Sequence, residues 1–225
     1  MRLVIIGTGR MGQALAQIAV EKGHTILTQV GRFGFEILSG IRADVVIDFS
    51  HASQVPLIVE ACLRENLPLI TGTTGWYEHL PLLRAKAAAY PTARWLWGGN
   101  FSRGIALFKI LLKSLASLSW SQLSGWEAIL VETHHHRKKD APSGTAIELT
   151  QIFPVVKAIH SLRVGEVIGE HRLLLSGPGE EVEVLHRAHD RRIFAEGAIW
   201  AAQWLLNQGH FVGPFEEAFS LSMRQ

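Results

Sequence analysis

The segment from His134 to Ala146 combines histidines, cations and a sequence that opens helices. It reads His-His-His-Arg-Lys-Lys-Asp-Ala-Pro-Ser-Gly-Thr-Ala. Histidine exchanges protons near neutral pH, and Lys138 supplies a positive charge. Ser143 can cap a helix, and Thr145 has the capping-box spacing to Glu148, so free backbone N–H groups should lie near Gly144 and bind anions. The segment predicts a proton donor beside a pocket for carboxylate or phosphate oxygens.

Two other interpretations of this segment compete with the proton donor. On an extended chain His134 and His136 can share a side that His135 cannot, but the cations that follow oppose a divalent ion. We therefore assign no metal. A solvated basic loop remains open as the second alternative.

A glycine motif near the N-terminus predicts a dinucleotide site. The apolar run Arg2 to Ile6 precedes Gly7-Thr-Gly9-Arg10-Met11-Gly12, and a helical pattern follows from Gln13 to Lys22. Strand, glycine turn and helix in this order match the dinucleotide fingerprint, in which the pyrophosphate lies at the start of the helix. We favour a bound cofactor over a purely structural turn.

The end of the next expected strand, Thr25 to Val30, bears on the choice of cofactor. A carboxylate that binds the NAD ribose is normally found near this point, but the sequence continues Gly31-Arg32. Arg32 could face the 2′-phosphate of NADP, or it could be a solvated loop residue. We expect NADPH to be used at least as well as NADH.

Strand and helix patterns alternate as far as Trp97. Each strand ends in a polar or glycine-rich cluster, and the carboxyl ends of parallel strands meet at one edge of a sheet, where ligands bind. We therefore expect a Rossmann-like, doubly wound parallel sheet whose loops contact the cofactor. The candidate residues in these clusters are Gly72, Thr73, Thr74, Asn100, Phe101 and Ser102.

The pattern changes after Trp126 to the alternation of an open sheet. We expect strands over Trp126 to Thr133, over Arg163 to Leu175 with interruptions at Gly165 and Gly169, and over Glu181 to His186, with a turn at Gly177-Pro178-Gly179. We therefore expect a second, α+β domain with an open mixed sheet. An open sheet has an exposed face and edges, which self-association often covers.

Composition narrows the class of protein. The chain has 225 residues, a formal net charge of +2 and one cysteine. A net charge this small does not indicate binding to nucleic acid or to a membrane surface. No apolar run is long enough to span a bilayer. A lone cysteine within a helical pattern fits a reducing cytoplasm.

The central segment resembles the signature of the 4-hydroxy-tetrahydrodipicolinate reductases, formerly called dihydrodipicolinate reductases. The matching residues run from Glu132-Thr-His134, across three residues, to Lys138-Lys-Asp140-Ala-Pro-Ser143-Gly144-Thr145-Ala. Further segments resemble the family in the same order along essentially the whole chain. They are Asp48-Phe-Ser50, Gly72-Thr-Thr-Gly75, Asn100-Phe-Ser102, Arg163 to Gly165, Gly169-Glu-His171 and Phe194-Ala-x-Gly-Ala198.

The resemblance implies NAD(P)H-dependent reduction of a cyclic dicarboxylate in diaminopimelate and lysine biosynthesis, with release of water. It implies that His134 donates the proton and that Lys138 holds a substrate carboxylate, while His135, Ser143, Gly144 and Thr145 match further substrate contacts. It implies a dinucleotide-binding domain over residues 1–103, to which 193–225 return, and a substrate-binding and oligomerisation domain over 104–192. Closure of the two domains and a homotetramer are expected.

Two departures and two alternatives accompany the resemblance. The chain is short after Thr150, where Gln151 to Ala158 replaces a longer helix-and-loop region, and the ribose carboxylate is missing. Another two-domain dehydrogenase would share the glycine loop without needing Lys138 before Pro-Ser-Gly-Thr. A non-catalytic NADP-sensing protein would be expected to have lost His134, Lys138 or Thr145.

Overall fold

The computed structural model describes residues 1–31 and 34–224, which form two compact units. The discontinuous unit comprises Met1–Ser102 and Arg192–Gln225, and the contiguous unit is Arg103–Arg191. Elements are numbered along the whole chain.

The discontinuous unit is a parallel sheet with flanking helices. Its six strands lie in the order β10-β5-β4-β3-β1-β2, and each neighbouring pair is parallel. The expected Rossmann-like, doubly wound sheet is thus confirmed. The elements are β1 (Arg2–Ile6), α1 (Arg10–Glu21), β2 (Thr25–Val30), β3 (Val45–Asp48), α2 (Val55–Arg64), β4 (Leu69–Thr71), α3 (Leu80–Ala87), β5 (Arg94–Trp97), α6 (Arg192–Leu206), β10 (Phe211–Pro214) and α7 (Phe215–Ser222).

The central strands are apolar because helices cover both faces of the sheet. Leu3 to Ile6 in β1 and Val45 to Ile47 in β3 have no exposed surface. Helix α6 packs against this sheet although it follows the contiguous unit in the chain. Its close approach depends on Gly197, where a Cβ would lie 1.8 Å from the carbonyl oxygen of Phe101.

The contiguous unit is a mixed four-stranded sheet with helices on one face. Strand order is β7-β6-β8-β9; β6 and β7 are parallel, and the other two pairs are antiparallel. The expected second α+β domain with a mixed sheet is confirmed. The elements are α4 (Arg103–Ala116), β6 (Glu127–His134), α5 (Gly144–Ile152), β7 (Val156–Arg163), β8 (Gly169–Gly177) and β9 (Glu180–Ala188).

Burial alternates along β6, so the sheet has an inner and an outer face. Ala128, Leu130, Glu132 and His134 are buried, and the residues between them are more exposed. The inner face packs with Phe108 of α4 and Leu149 of α5 in one apolar cluster. Among the described helices, including the apolar α4, none is long and apolar enough to cross a membrane.

Two strands differ from the sequence expectation. Arg163 ends β7, which begins at Val156, and β8 begins at Gly169, so the stretch expected as a strand over Arg163 to Leu175, with interruptions at Gly165 and Gly169, is divided between two strands. Strand β10 was not predicted, because a four-residue strand ending in Gly213-Pro214 carries almost no local signal. Each is defined by its pairing with a distant strand, β6 for β7 and β5 for β10.

Candidate active site

A row of polar residues crosses the inner face of the second sheet near the carboxyl end of β6. We call it the polar row: Ser161 of β7, Glu132 of β6, His171 of β8 and His186 of β9 are direct partners from strand to strand. His134 follows Glu132 by two residues and therefore lies on the same face. Glu132 has no exposed surface, and His134 and His171 are also buried. Buried polar groups of this kind require partners.

His134 is paired with Glu132 through its Nδ1 atom. Burial lowers the pKa of His134, while the Glu132 carboxylate acts in the opposite direction and favours the charged ring. The net pKa lies below the ordinary value of histidine. The carboxylate thus limits how far burial suppresses the protonated form that a proton donor needs.

Arg163 connects Glu132 to the loop that follows β6. Its Nη2 atom donates to Glu132 Oε1 at 2.9 Å and to the carbonyl oxygen of Asp140 at 2.6 Å. Its Nε atom donates to the carbonyl oxygen of Lys138 at 3.3 Å. Burial opposes ionisation of Glu132, but hydrogen bonds from Arg163 and Ser161 outweigh it, and the pKa of Glu132 is lowered. Glu132 therefore remains an anion at neutral pH.

Helix α5 begins beside this network. Ser143 is its N-cap, as the sequence predicted, and accepts a hydrogen bond from the Ala146 N–H at 3.2 Å; the capping-box spacing of Thr145 and Glu148 does not mark the cap. Gly144 and Thr145 occupy the first turn. Ser143 Oγ also lies 3.3 Å from Nε2 of His171. First-turn N–H groups and the positive end of the helix dipole form an anion site.

Lys138 places its ammonium group in the same loop. Its Nζ atom is 2.9 Å from each carboxylate oxygen of Asp140, and about a quarter of its side chain is exposed. The ammonium group of Lys138 is thus paired with a carboxylate of its own loop. The Lys138 ammonium also lowers the pKa of Asp140, which keeps that partner charged.

The remaining histidines of the run have different surroundings. His135 is partly buried, and its Nδ1 has no hydrogen-bond partner among the residues described. Burial, then Arg191 and Arg137, lower its pKa. Nδ1 of His136 is 2.9 Å from the Gly165 carbonyl oxygen, which fixes the exposed side of the loop.

Glu132, His134 and His171 offer ligand atoms within 4.8 Å of one another, which is close enough to consider a metal ion. Both oxygens of Glu132, however, are already paired, one with Arg163 and one with His134. The guanidinium and the nearby Lys138 would repel a divalent cation. The donor set therefore fits a charge-paired hydrogen-bond network better than a metal site.

The glycine loop of the discontinuous unit shows why small residues are needed. A Cβ at Gly7, whose φ is +122°, would lie 2.3 Å from the Phe49 carbonyl oxygen, and one at Gly12 would lie 2.1 Å from the Gly7 carbonyl oxygen. Gly9 is the N-cap of α1, and apart from its chain neighbours no described residue places an atom within 4 Å of its Cβ position. Arg10 and Met11 form the first turn. The loop thus fits a pyrophosphate that approaches the backbone at Gly9.

The other candidate cofactor residues follow β4 and β5 at the same edge of the sheet. Gly72 packs against the Phe49 ring, where a Cβ would lie 2.2 Å away. Thr73 is buried and Thr74 is exposed. The Asn100 side chain accepts from the Ser102 N–H at 2.9 Å; Phe101 and Ser102 are buried. Arg32, the candidate for a 2′-phosphate, lies outside the described residues.

Sequence reasoning did not assign roles to several residues that the fold brings to these sites. Glu132, Arg163, Gly169 and His171 were noted only as parts of family segments, and Asp48 likewise. Asp48 is fully buried at the end of β3, where burial raises its pKa to about 6. The only local signal was the two-residue spacing of Glu132 and His134, which places both on one face of a strand.

Comparisons with known proteins agree across the chain. Residues 1–101 match the family model for the N-terminus of dihydrodipicolinate reductase, and residues 104–216 match that for its C-terminus. The 4-hydroxy-tetrahydrodipicolinate reductase of Stenotrophomonas maltophilia (strain K279a) is 37% identical over 96% of this chain and 95% of its own length. That of Xanthomonas campestris pv. campestris (strain B100) is 38% identical over 89% and 90%.

Solved structures share the fold. A dipicolinate-bound dihydrodipicolinate reductase from Paenisporosarcina sp. TG-14 superposes with a TM-score of 0.79 at 21% identity and covers 96% of this chain and 98% of its own. A putative myo-inositol dehydrogenase from Sinorhizobium meliloti 1021 gives 0.63 at 10% identity, over 99% of this chain and 95% of its own. The resemblance stated from the signature is confirmed: the chain belongs to the dihydrodipicolinate reductase family of nicotinamide-dependent oxidoreductases.

Proposed function

We propose that this protein reduces 4-hydroxy-tetrahydrodipicolinate to tetrahydrodipicolinate, with release of water, in diaminopimelate and lysine biosynthesis. The observation that carries the proposal is one short segment, from the end of β6 to the start of α5, that holds the Glu132-paired ring of His134, the ammonium group of Lys138 and the α5 N-terminus at Ser143. These groups suit a substrate with carboxylates and a step that needs a proton. The two alternatives, another dehydrogenase and an NADP sensor, are disfavoured by the family match and by the intact residues.

The substrate groups are assigned to residues by their charge. Lys138 binds one substrate carboxylate, which takes the place of Asp140 on the ammonium group. The N–H groups of Gly144 and Thr145, with Ser143 and His135, bind further carboxylate oxygens. His134 gives a proton to the substrate as negative charge develops there, an effect worth roughly 10²–10⁴-fold in rate. The nicotinamide ring supplies the hydride when the cofactor is bound.

The cofactor lies, in this proposal, on the edge of the parallel sheet. Gly7, Gly9, Arg10, Met11 and Gly12 hold the pyrophosphate at the start of α1. The remaining contacts come from the loops after β4 and β5, through Gly72, Thr73, Thr74, Asn100, Phe101 and Ser102.

The test of the function uses substrate made in place by the preceding synthase, with oxidation of NAD(P)H followed by absorbance. We expect His134→Gln and Lys138→Ala each to lower kcat/KM by roughly 10²–10⁴-fold. Nucleotide affinity, measured by energy transfer from the buried Trp76 and Trp95 to the reduced cofactor, should stay within about threefold of wild type. Turnover that survives both substitutions would contradict the assigned roles.

The preference between NADPH and NADH depends on which charged residues follow β2. No carboxylate follows Val30 directly, and Arg32 is proposed to bind the 2′-phosphate of NADPH. We expect kcat/KM for NADPH to equal or exceed that for NADH, and Arg32→Ala to lower only the NADPH value. A strong preference of the wild type for NADH would overturn this assignment.

We also propose a homotetramer that buries the outer face of the second sheet. Leu162 of β7 and Leu185 of β9 belong to this face and are 48% and 42% exposed. Light scattering after size exclusion should give a tetramer for wild type and smaller species for Leu185→Lys. A wild-type monomer at micromolar concentration would contradict the assembly.

A further inference from the structure

The contacts of the buried Glu132 carboxylate define the protonation of His134. One oxygen, Oε1, accepts from Arg163 at 2.9 Å, and the other faces Nδ1 of His134. An ionised carboxylate can only accept hydrogen bonds, so Nδ1 must carry the hydrogen. The neutral ring is then held in the Nδ1–H form, and its second nitrogen, Nε2, has no hydrogen.

Space around Nε2 is provided by the neighbouring strand. A Cβ at Gly169, the first residue of β8, would lie 3.2 Å from Nε2 of His134 and 3.5 Å from Cδ2. Within residues 1–31 and 34–224, Nε2 makes no hydrogen bond. Glycine at position 169 therefore leaves space beside Nε2 of His134, while Nδ1 on the other side of the ring is held by Glu132.

Arg163 extends this control to the loop that carries the cation. The same guanidinium that binds Glu132 donates to the carbonyl oxygens of Lys138 and Asp140. A displacement of Arg163 would thus release both the orientation of the ring and the position of the ammonium group.

We propose that Glu132, held by Arg163, is a positioning residue that fixes His134 with Nδ1 protonated and leaves Nε2, beside Gly169, as the atom that transfers the proton. This inference rests on the proposed function. In the step, the Nε2–H bond of the imidazolium breaks, its electron pair stays on Nε2, and the proton passes to a basic atom of the substrate. The product ring is neutral and keeps the hydrogen on Nδ1.

The charges that face His134 set the sign of the pH effect. Lys138, Arg163 and His171 disfavour the protonated ring, and Glu132 favours it. Glu132→Gln removes the favourable charge and lowers the pKa of His134. Activity that needs the imidazolium is lost as pH rises through this pKa, so the loss should move to lower pH in the variant.

The first experiment measures the tautomer directly. Nitrogen-15 NMR of histidine-labelled protein, with the signal of His134 identified by its absence in His134→Gln, separates the Nδ1–H and Nε2–H forms. Wild type should show Nδ1–H above pH 7. In Glu132→Gln a single amide oxygen must serve both Arg163 and His134, so a substantial Nε2–H fraction should appear. An Nε2–H ring in wild type would overturn the proposal.

The second experiment measures kinetics from pH 5.5 to 9 with the coupled synthase. Glu132→Gln should lower kcat by roughly 10- to 100-fold with KM within about threefold, and it should move the alkaline loss of kcat/KM to lower pH by about one unit. Glu132→Asp should recover a large part of kcat, and Gly169→Ala, which crowds Nε2, should lower kcat without removing the charge. Melting curves establish that each variant is folded.

The matched control is Glu127→Gln, the same substitution on the same strand at an exposed residue whose carboxylate forms an ion pair with Lys157 at 3.5 Å. It should leave kcat and the pH profile unchanged. A Glu132→Gln profile identical to wild type would overturn the positioning role. If wild type fails to turn over the synthase product, the proposed function is wrong, and the NMR result still decides how the ring is held.

Discussion

The loop after β1 and the polar row of the second sheet differ in the groups that form them: backbone in the loop and side chains in the polar row. In the loop the backbone itself forms the candidate cofactor site, and side chains are absent where chain segments approach closely, as at Gly7 and Gly12. In the polar row, charged and polar side chains from separate strands meet, with Glu132 and His171 buried. A backbone site is therefore damaged by adding atoms, whereas a side-chain site is damaged by removing a partner or changing a charge.

The largest effect on stability is expected from Gly12→Ala, which tests the backbone site. The new methyl group would lie 2.1 Å from the Gly7 carbonyl oxygen, and no rotamer can relieve an overlap between backbone and Cβ. Stability to urea should fall by roughly 3 kcal/mol or more, the upper end of overpacking effects, and nucleotide binding should be lost. Gly209→Ala is the control, because in the part of the chain that the structure describes no atom beyond its chain neighbours lies within 4 Å of its Cβ position. Equal stability of the two variants would contradict this account.

The next effect concerns pH and the polar row. Burial first, then the charge of nearby His134, lowers the pKa of His171 to about 3. Between pH 6.5 and about 3 the unfolded chain takes up a proton that the folded protein does not, so stability falls as pH falls. His171→Gln removes this titrating group. From pH 7 to pH 4 the free energy of unfolding of the variant should fall by roughly 3 kcal/mol less than that of wild type. Parallel curves would show that His171 titrates normally.

A smaller effect of opposite sign is expected in the discontinuous unit. The pKa of Asp48 is raised by burial to about 6, so the folded protein holds a proton that the unfolded chain has released. The cost of ionising Asp48 develops as pH rises from about 4 to about 6. The side chain of Asp48→Asn can still accept from the Ser50 N–H but does not ionise. The free energy of unfolding of this variant, relative to that of wild type, should therefore be higher at pH 8 than at pH 4 by roughly 2 kcal/mol. No change in this difference with pH would contradict the shift.

The same contrast explains what could be predicted from the sequence. The glycine loop and the Ser143 to Thr145 helix start are local patterns, and both occur where they were expected, although Ser143 and not Thr145 is the cap. The partners of His134 could not be assigned, because Arg163 and Gly169 reach it only through the pairing of β7 and β8 with β6. That pairing is set by long-range contacts that a local pattern does not contain.

The position of α6 and β10 late in the chain affects the order in which the two units can fold during translation. Translation delivers residues in order, so the parallel sheet, begun by β1, lacks its last strand until Phe211 to Pro214 have emerged. The contiguous unit, by contrast, is present in full once Arg191 is made. The unit that begins first is thus completed last, and until then the open edge of β5 must be kept from pairing with other chains.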